Sequence, residues 1–219
     1  MLRLNKKLIV TGALAWIFSH ALSGTALAQE RADGNATVAP LIYLPTTYVF
    51  PRHAVEQEPL LEFYSDVLGF EKMPNIGMVG RFKVGATEFK LPPKSFPAFQ
   101  RPGLNDEYPK GGVKDATGFR LVSFFFPDEA ALAARFTQHG YPVPEFRSVP
   151  GSANKVALTT DPDGQAVELV IVPNAPAETY GQIQIGLTVS DIAKSRAFYG
   201  DFMGLAQLAP VEDPVFGTT

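Results

Sequence analysis

A carboxylate set in an apolar strand is the first place to look for chemistry in this chain. Glu168 lies in Ala166–Val172, directly after the run Asp161-Pro162-Asp163-Gly164. In a strand, Ala166, Glu168, Val170 and Val172 share one face, and Val167, Leu169 and Ile171 share the other. A lone carboxylate on such a face costs several kcal/mol unless it is paired, hydrated or bound to a metal. Gln184 falls in a second strand-like run, where Gln182, Gln184 and Thr188 share a face. Its carbonyl oxygen can serve a hard divalent ion, or it is a plain polar residue on a half-exposed strand. Glu88 follows the Gly85 turn with Lys90 on the same face; it is a third candidate ligand or one half of a surface Glu–Lys pair. Imidazole is scarce, with three His in the chain, and there is no Cys. The missing Cys exclude a thiolate metal site, a Cys nucleophile and a disulfide scaffold. His53 lies in a loop past the first strand. His139 ends a helix before Gly140, where the helix dipole favours it for structural reasons.

The elements that must position these residues are legible from pattern. Asp at the first position, Pro at the second and Gly at the fourth make Asp161–Gly164 a type I turn, here joining strands Val156–Thr160 and Ala166–Val172. Phe119–Phe126 is an apolar strand interrupted by Arg120 and Ser123. Asp128 is placed to cap a helix running through His139, with Leu132 and Phe136 one turn apart. Phe82–Val84 and Glu88–Leu91 flank a hairpin turn. Two segments repeat: Phe63-Tyr64-Ser65-Asp66-Val67-Leu68-Gly69-Phe70 and Phe198-Tyr199-Gly200-Asp201-Phe202-Met203-Gly204-Leu205. Each closes an amphipathic helix at a Gly; the spacing of Leu60, Leu61, Tyr64, Val67 and Leu68 is that of a buried helix stripe. Ser190 is placed to cap the second of these helices. Each unit therefore runs strand, helix, further strands: unit one over Leu41–Gln100, unit two over Thr117–Asn174, and unit three from Gln182 with only a strand, a helix and a short tail. The Pro- and Gly-rich stretch Pro92–Gly118, with Phe96, Phe99 and Tyr108, is long enough to act as a lid or to run without regular structure.

With 219 residues, a formal charge of −3, 46% hydrophobic and 19% charged residues, the composition is that of a globular protein. A mildly acidic chain has no surplus of cations for phosphates, so nucleic acid is not an expected partner. The N-terminus reads as a secretory signal peptide over residues 1–28: Arg3, Lys6 and Lys7, the apolar run Leu8–Leu22, then Ala26-Leu27-Ala28 before Gln29. Residues 29–40 read as a flexible lead-in. The apolar run is shorter than the roughly 20 residues that span a bilayer, so no stable membrane span is expected after cleavage, and the location is periplasmic or secreted.

The Asp161–Leu169 run, the two F-Y-x-D-x-x-G segments and Ile185-Gly186-Leu187-Thr188-Val189-Ser190-Asp191 resemble the vicinal-oxygen-chelate superfamily of glyoxalase I, extradiol dioxygenases and bleomycin-resistance proteins. The resemblance covers about Leu41 to Leu205. It implies an α+β fold of paired βαβββ modules: one domain over 41–175 and the incomplete start of another over 180–219. It also implies sheets forming a cup around a small molecule, with a divalent metal ion held by residues of first and last strands. Carried onto this chain, the ligands are Glu168, Gln184 and Glu88. Gln184 stands where the family usually has His, as in some glyoxalases. The chain departs from the pattern because neither Leu41–Phe50 nor Phe119–Phe126 contains His, and the two-histidine, one-carboxylate iron set of extradiol enzymes is absent. Two functions follow. One is an exported metal-dependent enzyme of glyoxalase or dioxygenase type acting on vicinal oxygens. The other is a metal-free small-molecule-binding module or an inactive fragment. A homodimer is compatible with either, and the catalytic residues stay unassigned.

Overall fold

The computed structural model describes residues 9–10, 47–49, 57–93, 95, 113–115, 117–207 and 213–216 of the chain. The first element among them is a two-residue strand, β1 (Ile9–Val10). The first module then comprises β2 (Thr47–Val49), α1 (Gln57–Glu62), β3 (Glu71–Ile76), β4 (Val79–Val84) and β5 (Thr87–Leu91). Its sheet has the order β2-β5-β4-β3, with β2 parallel to β5 and the other pairs antiparallel. The second module comprises β6 (Gly118–Phe126), α2 (Glu129–Gln138), β7 (Arg147–Ser148), β8 (Lys155–Thr160) and β9 (Ala166–Ile171). It repeats that order as β6-β9-β8-β7, again with its first and last strands parallel. The fold is therefore α+β, built of two βαβββ modules. Among the described residues, no helix is long and apolar enough to cross a membrane.

The third unit contributes β10 (Ile183–Thr188) and α3 (Ile192–Arg196). β10 does not stand apart: it pairs antiparallel with the free edge of β6, and β1 pairs with β10 in turn, making a six-stranded sheet. Asp191, not Ser190, caps α3, accepting from the Lys194 N–H at 3.1 Å. Its extended backbone (φ −144°, ψ 108°) is the one that leads into the helix. α2 begins as its sequence requires, with Asp128 Oδ1 accepting from the Ala131 N–H at 3.0 Å.

Strand alternation decides what each face does. Phe82 and Val84 of β4, Phe89 and Leu91 of β5, Val122, Phe124 and Phe126 of β6, and Val167, Leu169 and Ile171 of β9 all enter one core. α1 runs straight into a π-helical turn, Phe63–Val67, which inserts Phe63 and Tyr64 into that core. Leu132 and Phe136 of α2 fill it from the second module. Tyr64 stacks on Phe82 at 4.5 Å, and Phe124 meets Phe70 at 4.8 Å and Phe89 at 5.8 Å, so aromatic rings join the two modules. Arg135 closes the joint by donating from Nε to the Val67 carbonyl at 2.9 Å. The two modules thus meet through their helix-bearing faces, and the face of β6, β9 and β10 carrying Glu168 is turned the other way.

Candidate functional site

The register of the six-stranded sheet sets Gln184, Ser123, Glu168 and Leu158 in one row across β10, β6, β9 and β8. The neighbours of Ser123 and Glu168 on their strands (Val122, Phe124, Val167 and Leu169) point into the core, so these two, and with them their register partners Gln184 and Leu158, lie on the opposite face. Two of the candidate ligands, Glu168 and Gln184, are thereby brought onto one surface by strands of different units. Glu168 is 2% exposed. The Ser123 hydroxyl donates to its Oε2 at 2.6 Å. Its Oε1 is buried and receives no hydrogen bond.

Opposite this carboxyl lies a second one. Residues 213–216 form a turn laid over the same face: Phe216 clusters with Val113 and Leu121, with Ala166 and Val215 packed against them, and Val215 also packs against the cluster of Phe125, Val156 and Val170. Asp213, itself buried, organises the turn by accepting from the Val215 N–H at 2.8 Å and the Phe216 N–H at 3.4 Å. The turn is tied down by Lys114 Nζ, which donates to the Phe216 carbonyl at 2.9 Å, and by Arg147, which donates to the Pro214 carbonyl at 3.4 Å. Burial, and then the facing Asp213 carboxyl, push Glu168 up to about 8, against the Ser123 hydrogen bond that favours its ionised form. Two carboxyls in hydrogen-bonding contact hold a proton between them or a cation; two bare anions in such a place repel. The orphaned Glu168 oxygen, with an amide and a hydroxyl in its row, is an oxygen donor set that fits a divalent cation of oxygen preference.

The structure keeps Glu88 away from this surface. It lies on β5, on the face of the first sheet turned away from the shared core, and pairs with Arg81 at 2.5 Å. That hydrogen bond holds the Glu88 carboxyl below its ordinary range. Lys90, the partner suggested by its spacing, sits farther off at 4.0 Å. His139 closes α2, with Nδ1 3.9 Å from Glu62 Oε1. Together with Asp66 these residues make the one His–carboxylate group among the described residues with ligand atoms mutually within 4.8 Å, and both of its acids are exposed. His53 and the aromatic residues Phe96, Phe99 and Tyr108 lie outside the described residues.

Two members of the site escaped the pattern. Ser123 had a weak signal, as one of two polar residues in an apolar strand. Asp213 had almost none: an Asp-Pro step in a tail says turn, and nothing in its spacing points to Glu168.

No protein-family model and no curated protein matches the chain. Solved structures similar to it include a lactoylglutathione lyase from Agrobacterium tumefaciens (22% identity, 57% of this chain and 91% of that one, TM-score 0.41). A glyoxalase/dioxygenase from Nostoc punctiforme is similar at 15% identity over 65% of this chain and 100% of that one, with a TM-score of 0.44. A mutant glyoxalase I from Zea mays is similar at 18% identity over 73% of this chain and 54% of that one, with a TM-score of 0.48. The α+β fold of repeated βαβββ modules rests on the strand order of this chain itself.

Proposed function

We propose that this is an exported protein of the vicinal-oxygen-chelate type, which binds a small molecule with vicinal oxygens over the Glu168 face together with a divalent metal ion. One observation carries the reading: Glu168, on the last strand of the second βαβββ module, and Gln184, on the first strand of the third unit, lie in one row across β6 on the same sheet face. Glu168 would hold the metal, with Gln184 as a further oxygen donor. When bound, such an ion supplies Lewis-acid polarisation of the ligand's oxygens. The protein's own part is positional. Ser123 fixes the Glu168 carboxyl through Oε2, and the turn at 213–216 keeps water from it. The basic, apolar and small-residue pattern of residues 1–28 supports export, and cleavage there would remove β1 and leave β10 as the edge of the sheet. The apolar residues left bare on the third unit, with Phe198 50% and Phe202 81% exposed, support a homodimer.

A second reading, a metal-free binding module, draws on the absence of imidazole from the row. Metal analysis of the purified chain before and after chelation separates the two. A stoichiometric divalent ion lost in Glu168→Ala supports the metal-dependent reading. No stoichiometric ion, with ligand binding unchanged in Glu168→Ala, defeats it.

A further inference from the structure

We infer that Asp213 completes, with Glu168 and Ser123, an all-oxygen site for a hard divalent cation of the Mg2+, Mn2+ or Ca2+ class. The inference rests on the Glu168 face being the ligand face. It adds to that reading a ligand from outside the βαβββ modules and a class of metal.

Three observations converge. Glu168 is buried, and among the described residues no Lys, Arg or His pairs with it. Its Oε1 is buried and no hydrogen-bond donor is found for it, while Ser123 occupies Oε2. A second buried carboxyl meets it, brought from a distant part of the chain by a turn that Asp213 shapes through two N–H bonds and that Lys114 and Arg147 tie to the protein. Carboxylate and hydroxyl oxygens, with neither imidazole nor thiolate, favour hard cations over zinc or nickel. A cation bridging the two carboxyls would also lock the 213–216 turn onto the sheet, because one of its ligands comes from each.

The test is titration of the chelator-treated full chain with MnCl2, following free Mn2+ by electron paramagnetic resonance, with Mg2+, Ca2+ and Zn2+ as competitors. One Mn2+ per chain is expected, displaced by Mg2+ or Ca2+. Glu168→Gln and Asp213→Asn should each weaken binding at least about tenfold, and Glu178→Gln, on an exposed turn, should not. Circular dichroism checks that each variant folds. If Asp213→Asn does not fold, Ser123→Ala serves in its place, with the same weakening expected. Failure of the native chain to bind Mn2+, or unchanged binding in Asp213→Asn, overturns the inference. An ion lost in Glu168→Gln but kept in Asp213→Asn overturns the role of Asp213 and leaves the proposed function standing. No binding of any of the four ions removes the metal from both.

Discussion

The Tyr64 hydroxyl donates to Asp161 Oδ2 across 2.9 Å of buried interior, so the F-Y segment of the first module is bonded to the D-P-D-G turn of the second. The other carboxylate oxygen, Oδ1, accepts from the Asp163 N–H at 3.0 Å and the Gln165 N–H at 2.9 Å. One side chain therefore shapes the turn that leads into β9 and receives the tyrosine of the neighbouring helix. Register in β9, and with it the direction of Glu168, begins at this residue.

Tyr64→Phe removes the hydroxyl and leaves the ring stacked on Phe82. The carboxylate keeps its two backbone donors, so the loss is that of one buried, charge-assisted hydrogen bond, about 1.5–3 kcal/mol. Urea denaturation should show a lowered midpoint with an unchanged m-value. Asp161→Ala should cost more, because the turn loses its own bonds too. Equal stability of Tyr64→Phe and the native chain would mean that the two modules are not joined here.

A second joint is made by backbone alone. A Cβ added at Gly85, in the β4–β5 turn, would lie 2.3 Å from the Gly181 carbonyl oxygen, at the end of the 3-10 turn before β10. Gly85 also has φ +54°, in the left-handed region. Gly77, in the β3–β4 turn, has φ +57° but open space around it. Gly77→Ala should therefore cost only the conformational strain, about 1 kcal/mol. Gly85→Ala should cost clearly more, since two backbones must separate and neither can rotate away. Thermal melts of the pair read the difference; equal melting temperatures would place the first module's hairpin away from the third unit.

Much of this architecture could be read from the chain, and the failures share a cause. Local chemistry announced the D-P-D-G turn, the Asp128 cap, the β4–β5 hairpin and the alternation that puts Glu168 opposite Val167 and Leu169. Pattern could not say which faces meet. The repeat suggests equivalent surroundings, yet Phe63 is fully buried while Phe198, at the matching position, is half exposed. The difference lies in what covers them: Phe63 meets Phe136 and Tyr141 of the second module, and the described residues provide Phe198 with nothing comparable beyond Tyr199 and Phe202. For the same reason the Glu168–Asp213 contact was invisible, since it is set by where a tail folds back and not by periodicity.

That contact has a pH signature with a definite sign. Glu168 titrates near 8 in the folded chain against 4.5 for an ordinary carboxyl. Between those values the native state holds a proton that the unfolded chain has released. The stability belonging to this proton is fully present below pH 4.5 and is lost as pH rises through 8, at up to about 1.4 kcal/mol per pH unit. Glu168→Gln carries no titrating proton at that position and can still accept from Ser123. In chelator-treated protein, the native chain should therefore lose stability relative to Glu168→Gln as urea midpoints are measured at pH 5, 6.5 and 8. A gap that stays constant over this range would show the carboxyl to be hydrated and ionised throughout, with Asp213 not against it.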